Sequence, residues 1–351
     1  MSFNPVLVVT KTEKPAWYMA SSPYDKPVTR IAILQLLTTL VPYLLLMGLM
    51  IQTVRHGHSY AVTLALGVAA AALYSRIFII FHDCTHGSFL PSPRWNRNVG
   101  YLCGILTFTA FHDWRRSHAR HHITAGDLDR RGIGEITTMT VEEYLIAPLL
   151  QRVSYRLYRH PLVMFGIGPL YYFLLRNRYP APGGKRIDYF SVICTNLAIV
   201  AIVLAASLTV GFKTYFLVQF PVLVLAATLG VWLFYIQHQF EGVYWARHDK
   251  WDPWRVAMEG ASYYKLPKLM QWVTGNIGFH HVHHMRPGIP NYRLQECHEA
   301  IPELQAVKPL TLRTSLKSLR LNLYDEQLGR LVSFRSLKSR KCNAGQQMSS
   351  S

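Results

Sequence analysis

Residues 60–86 read YAVTLALGVAAAALYSRIFIIFHDCTH, an apolar run at 60–81 that leads directly into two histidines four positions apart. A helix of about 20 apolar residues is about 30 Å long, which matches the hydrocarbon core of a bilayer. Three further runs of this length occupy residues 31–51, 190–210 and 214–236. Buried helices of a soluble protein rarely remain apolar on every face for so long. The four runs, arranged in two close pairs, therefore predict four transmembrane helices.

The charged residues indicate how these helices are oriented. Of the 37 Lys and Arg residues, 4 precede the first run, 14 lie between residues 81 and 190, and 16 follow residue 236. The two short connections contain only Arg55 and Lys213. By the positive-inside rule, both termini and the long middle loop face the cytoplasm, and the short connections face outward. Topology and attraction to anionic lipid headgroups explain the formal net charge of +18, so we expect no nucleic-acid partner.

We predict an all-α integral membrane fold with four transmembrane helices, interfacial helices and a cytoplasmic, histidine-rich helical cap. The predicted segments are a cytoplasmic N-terminal segment (1–30), a membrane domain (31–302), C-terminal amphipathic helices (303–336) and a disordered tail (337–351). The cap consists of residues 82–189 and 237–302. Within it, the apolar stretches 99–111 and 162–175 are too short to span the bilayer and predict interfacial or re-entrant helices. The aromatic and basic residues of 244–272 fit either a headgroup boundary or ordinary packing in the cap.

The 16 histidines are concentrated in three motifs: HDCTH at 82–86, HARHH at 118–122 and HHVHH at 280–284. Residues three or four apart on a helix lie on the same side, so each motif can direct two or three imidazoles at a metal ion. A chain of this composition should contain only about 0.03 HxxHH triplets by chance. Two such triplets therefore indicate a metal site strongly, whereas the HxxxH pair alone is weak evidence.

All three motifs lie on the same predicted side of the membrane, at the end of the second run, in the middle loop and in the C-terminal part. His238, in YIQHQF, ends the fourth run on that side as well. Clustered imidazoles suit iron, zinc or copper. Without a metal, packing so many ionisable rings together would carry a high desolvation cost.

The three motifs, their order and their placement resemble the membrane fatty acid desaturase family. The sequences GDLDRRG at 126–132, TGNIGFHHVHH at 274–284 and PNY at 290–292 are similar to its bacterial acyl-lipid branch. The likeness extends from about residue 17 to residue 302. It implies nine metal ligands: His82, His86, His118, His121, His122, His238, His280, His283 and His284.

Further residues near the motifs are candidates for hydrogen bonds that orient the ligands. They are Asp83, His112, Asp127, Asp129, Glu241, Asn276 and His281. For the acidic residues, a salt bridge or a helix cap is an equally good interpretation. His281 is the additional histidine of the third motif, and we favour an orienting or packing role for it over ligation.

The resemblance also implies two iron ions, O2 as cosubstrate and an external electron donor of the ferredoxin, flavodoxin or cytochrome b5 type. Removing hydrogen from an unactivated methylene requires a stronger oxidant than any side chain provides, so the chemistry belongs to the metal and O2. The expected function is the introduction of a cis double bond into membrane-lipid acyl chains. We expect the enzyme in a bacterial inner membrane, with its active site in the cytoplasm, where a basic cap would attract an acidic soluble electron carrier.

Two alternatives remain at this point. The same scaffold and oxidant could hydroxylate or oxidise a lipid, an alkane or a carotenoid instead of desaturating an acyl chain. A membrane metal transporter or a haem protein is more remote, because transporters usually place ionisable residues in the middle of their spans and these runs contain almost none.

The charge distribution predicts which positions can be reached from outside the cell. After replacement of the 5 native cysteines, a cysteine introduced near His58 or Gly211 should react with an impermeant maleimide in intact cells. A cysteine near His118 should react only after the membrane is permeabilised. Labelling near His118 in intact cells would contradict the topology.

Overall fold

The computed structural model describes residues 13–132 and 134–337. The α-helices are α1 (Ala16–Ala20), α2 (Thr29–Arg55), α3 (Tyr60–His86), α4 (Pro93–Leu106), α5 (Phe111–Thr124), α6 (Val141–Ile146), α7 (Leu149–Tyr158), α8 (Gly168–Leu170), α9 (Arg186–Thr209), α10 (Phe212–His238), α11 (Pro253–Glu259), α12 (Lys268–Val273), α13 (His280–Met285), α14 (Leu294–Ala300), α15 (Pro302–Gln305) and α16 (Leu312–Ser315). Short 3-10 turns lie at Ser22–Tyr24, Arg176–Arg178, His248–Lys250, Asn291–Arg293 and Leu316–Arg320, and wide π-helical turns at Val163–Ile167 and Tyr171–Leu175. The strands are β1 (Met139–Thr140), β2 (Tyr263–Tyr264), β3 (Pro309–Leu310), β4 (Leu323–Asp325) and β5 (Arg330–Val332).

Four helices are long and apolar enough to cross a membrane. The most apolar 18-residue stretches of helices α2, α3, α9 and α10 have mean hydropathies of 2.0, 2.0, 2.3 and 2.1. The predicted all-α membrane fold is therefore confirmed. Each helix extends beyond its predicted apolar run at one end or both, and α3 continues through His86, where Gly87 ends it in a left-handed conformation with φ of 75°. This extension carries the first histidine motif on the last turns of a transmembrane helix.

Helix α3 lies at the centre of the bundle, in contact with α2, α4 and α10. In its most apolar window 61% of the residues are buried, against 11% in α9. Ile77 and Ile80 of α3, Met50 of α2 and Val222 of α10 are completely buried in the core that these helices share. The apolar residues of α3 therefore pack against protein, whereas those of α9 are left to face lipid.

The predicted stretch 162–175 forms wide helical turns on both sides of α8 and packs along α10. The hydroxyl of Thr228 donates a hydrogen bond to the carbonyl of Phe165 over 2.8 Å. Thr228 lies ten residues before the end of α10 at His238, which corresponds to about 15 Å along a helix. The stretch thus lies beside the apolar part of α10, and its assignment as an interfacial or re-entrant segment stays a prediction.

The C-terminal part of the chain differs from the predicted amphipathic helices at 303–336. The structure has only short helices and turns there, followed by the antiparallel pair β4 and β5. Strand β4 also pairs in parallel with β1, with Leu323 opposite Met139. Because this partner lies so far away in the sequence, local periodicity could not reveal the strand. The predicted disordered tail at 337–351 lies outside the described residues, apart from Leu337.

Candidate metal centre

The three histidine motifs and His238 meet at one end of the helical bundle. The first motif occupies the last turns of α3, the second lies on α5, the third on α13, and His238 is the last residue of α10. On α3, the imidazoles of His82 and His86 point from the same side, with ring centroids 4.8 Å apart. The elements therefore bring together all nine histidines that the sequence suggested as ligands.

These nine histidines form two groups, each of which could hold a metal ion. The five-histidine cluster contains His82, His86, His118, His122 and His283, and the four-histidine cluster contains His121, His238, His280 and His284. Within each group, the candidate ligand atoms all lie within 4.8 Å of one another. The arrangement is compatible with one metal ion in each cluster.

Helix geometry explains how the HxxHH motifs are divided between the clusters. In an α-helix, residues i and i+4 are only about 40° apart around the axis, and residue i+3 lies about 60° away on the other side. His118 and His122 accordingly join the five-histidine cluster, while His121 joins the other. In the third motif, His280 and His284 join the four-histidine cluster and His283 crosses over. Each HxxHH motif thus contributes to both clusters.

The distances between ring nitrogens fit metal coordination. His238 Nε2 lies 3.1 Å from His121 Nε2 and 3.0 Å from His280 Nε2. His122 Nε2 lies 3.2 Å from His118 Nε2 and 3.0 Å from His283 Nε2. Two nitrogens at right angles around a metal, each about 2.1 Å from it, would be separated by about 3.0 Å.

Two more ring nitrogens are available as ligands. The Nε2 atoms of His86 and His284 are buried and have no hydrogen-bond partner among the described residues. A buried polar atom without a partner is rare in folded proteins and requires an explanation. Because His86 and His284 belong to different clusters, a metal ion in each cluster would satisfy one of these atoms.

The protein environment keeps these rings neutral. Burial, and then the neighbouring imidazoles, lower the pKa well below its ordinary value for the cluster histidines outside the transmembrane helices. These residues are His118, His121, His122, His280, His283 and His284. A neutral imidazole keeps a free lone pair, which is the form that binds a metal.

Two hydrogen bonds determine which nitrogen faces the clusters. His82 Nδ1 lies 3.0 Å from Asp83 Oδ1. His238 Nδ1 lies 3.0 Å from the carbonyl oxygen of Gly260. Because a carboxylate and a carbonyl can only accept, Nδ1 of each ring must carry the proton, which leaves Nε2 free for a metal. The hydrogen bond between His82 and Asp83 therefore supports the predicted orienting role of Asp83.

Asp127 and Asp129 instead tie two loops together. Asp127 Oδ2 lies 2.5 Å from Arg130 Nε and 2.8 Å from His248 Nδ1. Asp129 accepts hydrogen bonds from the backbone of His248 and from Arg247. Both carboxylates thus hold the loop after the second motif, which agrees with the salt-bridge interpretation of these residues.

The other orienting candidates also bond outside the clusters. Glu241 is exposed and lies 3.9 Å from Lys317 Nζ. The ring of His112 packs on Tyr101 and Phe111. His281 Nε2 lies 3.1 Å from His298 Nδ1, and burial, with a smaller contribution from His298, lowers the pKa of His281 to about 3.

Three groups near the clusters had no role in the sequence interpretation. They are the carbonyl of Gly260 and the side chains of Gln35 and Asn291. Asn276 donates to the Asn291 carbonyl over 3.1 Å, so its contribution is to the segment that carries Asn291. Backbone carbonyls and single amides carry no spacing signal, so only the folded structure could identify them.

Comparison with known proteins agrees with this site. The family model described as fatty acid desaturase matches residues 57–315. The chain belongs to the fatty acid desaturase family. It is 45% identical over 315 residues to a fatty acid desaturase of Bacillus subtilis, a match that covers 90% of this chain and 89% of that relative.

More distant desaturases match as well. A probable fatty acid desaturase of Sorghum bicolor is 28% identical over 320 residues, with 79% of each chain covered. The sn-1 acyl-lipid omega-3 desaturase (ferredoxin) of Synechocystis sp. is 27% identical over 237 residues, covering 65% of this chain and 64% of that one. The predicted family and the predicted class, an oxidoreductase of the fatty acid desaturase type, are confirmed. The transporter and haem-protein alternatives have no support.

The cluster histidines are buried and neutral. We therefore predict that this desaturase loses stability in acid after a chelator has removed its metal. Below about pH 6.5 the histidines of the unfolded chain take up protons, whereas those of the folded clusters do not because their pKa values are lower. The free energy of unfolding should therefore decrease as the pH is lowered, by about 1.4 kcal/mol per pH unit for each such ring. Thermal unfolding in detergent, followed by tryptophan fluorescence at pH 8.0 and 5.5, measures the effect. The same dependence is expected in His58→Gln, which replaces an exposed histidine, and a Tm independent of pH would refute the prediction.

Proposed function

We propose that this desaturase introduces a cis double bond into the acyl chains of membrane lipids, using O2 and two iron ions, one at each histidine cluster. The observation that carries the proposal is the pair of imidazole clusters at the end of α3 and α10. Their nitrogen-only donor sets suit iron, which imidazole binds well. We further propose that the clusters lie on the cytoplasmic side of a bacterial inner membrane, in keeping with the Lys and Arg distribution.

The proposed reaction is balanced by two external electrons. Two hydrogens leave adjacent methylene carbons, and together with two electrons and two protons from outside they reduce one O2 to two waters. When bound, iron supplies the oxidising power that no side chain has. The chain's own residues hold the imidazoles in position, exclude water from the buried clusters and fix which carbons of the substrate face them.

An apolar cavity supports a lipid acyl chain as substrate. It has a volume of about 320 Å³ and lies between α3, α10 and α12. Its walls include Ala71 and Ala72 of α3, Leu229 and Leu233 of α10, and Met270 of α12. Leu233 lies five residues before the end of α10, or about 7.5 Å along the helix. The cavity is thus formed by the same two transmembrane helices that carry cluster histidines at their ends.

The electrons come from a separate soluble protein in this proposal. The name of the Synechocystis relative, sn-1 acyl-lipid omega-3 desaturase (ferredoxin), includes a carrier of this kind. A formal net charge of +18 favours an acidic partner of this kind, because opposite charges accelerate association. A flavodoxin or a cytochrome b5-type protein would satisfy the same requirement.

One prediction concerns the metal. Purified protein should contain about two irons per chain, and His121→Ala and His283→Ala should each lose about one of them and most of the activity, since each removes a donor from a different cluster. His281→Gln is the matched control, because His281 lies in the same motif but bonds to His298, and it should keep both irons. Elemental analysis is the measurement. Active protein with one zinc and no iron would rule out the di-iron proposal.

A second prediction concerns the substrate and the product. In a reconstituted assay with ferredoxin, its reductase and O2, phospholipid should be desaturated, with products identified by gas chromatography. The matched acyl-CoA thioester is the comparison. Rapid conversion of the thioester with none of the phospholipid would reject the lipid substrate, and a hydroxylated product would favour a hydroxylase or ketolase on this scaffold.

A further inference from the structure

A continuous chain of buried hydrogen bonds connects α2 with the five-histidine cluster. His82 Nδ1 lies 3.0 Å from one carboxylate oxygen of Asp83. The other oxygen of Asp83 accepts from both the backbone N–H and the side-chain amide of Asn291, over 2.6 and 2.8 Å. The amide oxygen of Asn291 in turn accepts from Gln35 Nε2 over 2.9 Å. Helix α2 carries no cluster histidine, yet it forms the far end of this chain.

This series of hydrogen bonds is buried. Asp83 and Asn291 are each 1% exposed, and His82 and Gln35 are each 5% exposed. Among the described residues, the only ion-pair contact of Asp83 is with His82, so no Lys or Arg neutralises the carboxylate. Asn291 instead supplies two hydrogen bonds to it. If a donor to a buried carboxylate is removed, the carboxylate oxygen that it bonded loses its hydrogen bond. Its desolvation cost is then not compensated, since water cannot take the donor's place.

The carboxylate determines the direction of every bond in the chain. An ionised Asp83 can only accept, so Asn291 must present its amide N–H to it, and the amide oxygen of Asn291 then faces Gln35. For the same reason His82 must carry its proton on Nδ1. The lone pair on His82 Nε2 is therefore directed at the five-histidine cluster. This orientation depends on the hydrogen bonds that connect Asp83, through Asn291, with Gln35 on α2.

We propose that Asn291 and Gln35 are positioning residues for His82. They hold the Asp83 carboxylate, which sets the tautomer and the ring orientation of His82, and so they set the metal affinity of the five-histidine cluster. The proposal rests on the proposed function only in taking His82 as a metal ligand. It makes α2 a functional part of the metal centre, although α2 contributes no ligand.

The test separates positioning from a general contribution to folding. Asn291→Asp keeps the size of the side chain and replaces the N–H donor next to Asp83 with a second carboxylate, whereas Gln35→Leu removes only the last donor of the chain. Gln52→Leu is the matched control, because Gln52 lies on the same helix but is exposed and bonds to His56. Purified full-length variants are titrated with Co²⁺ as the metal probe, and binding is followed by visible absorption. Thermal unfolding is measured on the metal-free proteins in parallel.

The expected result is weaker binding of one of two Co²⁺ ions, by about tenfold or more in Asn291→Asp and by less in Gln35→Leu, as is typical when a partner of a ligand histidine is removed. The affinity for the other ion should be unchanged in both variants, and Gln52→Leu should bind both ions as the unmodified protein does. A lower metal-free Tm is expected in Gln35→Leu, because the buried amide oxygen of Asn291 loses its donor, so the loss of affinity for one ion only is the result that shows positioning. Unaltered affinity for both ions in Asn291→Asp and Gln35→Leu would overturn the proposal, as would equal weakening of both ions together with a lower metal-free Tm. Desaturation of phospholipid by the unmodified enzyme is assayed alongside. Its failure would count against the proposed function and leave the Co²⁺ comparison valid.

Discussion

Nine imidazole rings share a buried space at the end of two transmembrane helices, and they can do so only if they remain unprotonated. Two protonated rings in contact would repel each other in a medium that screens charge poorly, and each would lose the hydration that a cation requires. The lowered pKa values of the rings on α5 and α13 express this constraint. Much of the surrounding structure follows from it, from the extension of α3 past its apolar run to the carbonyl of Gly260 that holds the proton of His238.

The division of the HxxHH motifs couples the two clusters. His121 and His283 each leave the cluster of their own motif neighbours and complete the opposite one. A rotation of α5 or α13 about its axis would therefore move ligands in both clusters at once. This arrangement favours rigid packing around the short helices. Arg286, two residues after the third motif, accordingly donates part-buried hydrogen bonds to Ser21 and to the carbonyl of Tyr18.

Much of this architecture could be predicted from the sequence because the deciding signals are local. Apolar runs of bilayer length identify α2, α3, α9 and α10, and histidine spacing together with family resemblance identifies the nine cluster residues. Features that depend on distant partners could not be predicted in this way. Strand β4 pairs with β1, which lies far earlier in the sequence, and Gln35 contacts Asn291 although 256 positions separate them in the chain. For Asp127 and Asp129, the sequence left an orienting role and a salt bridge equally open, and the fold pairs them with Arg130 and Arg247.

The order of the donor residues along the chain has a consequence for biosynthesis. The ribosome releases α3 and α5 early, but His238 follows more than a hundred residues later, and α13 emerges later still. Until α13 has left the exit tunnel, the four-histidine cluster lacks two of its members and the five-histidine cluster lacks His283. All four transmembrane helices are therefore synthesised before either donor set is complete. A metal ion that needs either complete donor set could therefore bind only after α13 has been synthesised, and so after all four transmembrane helices.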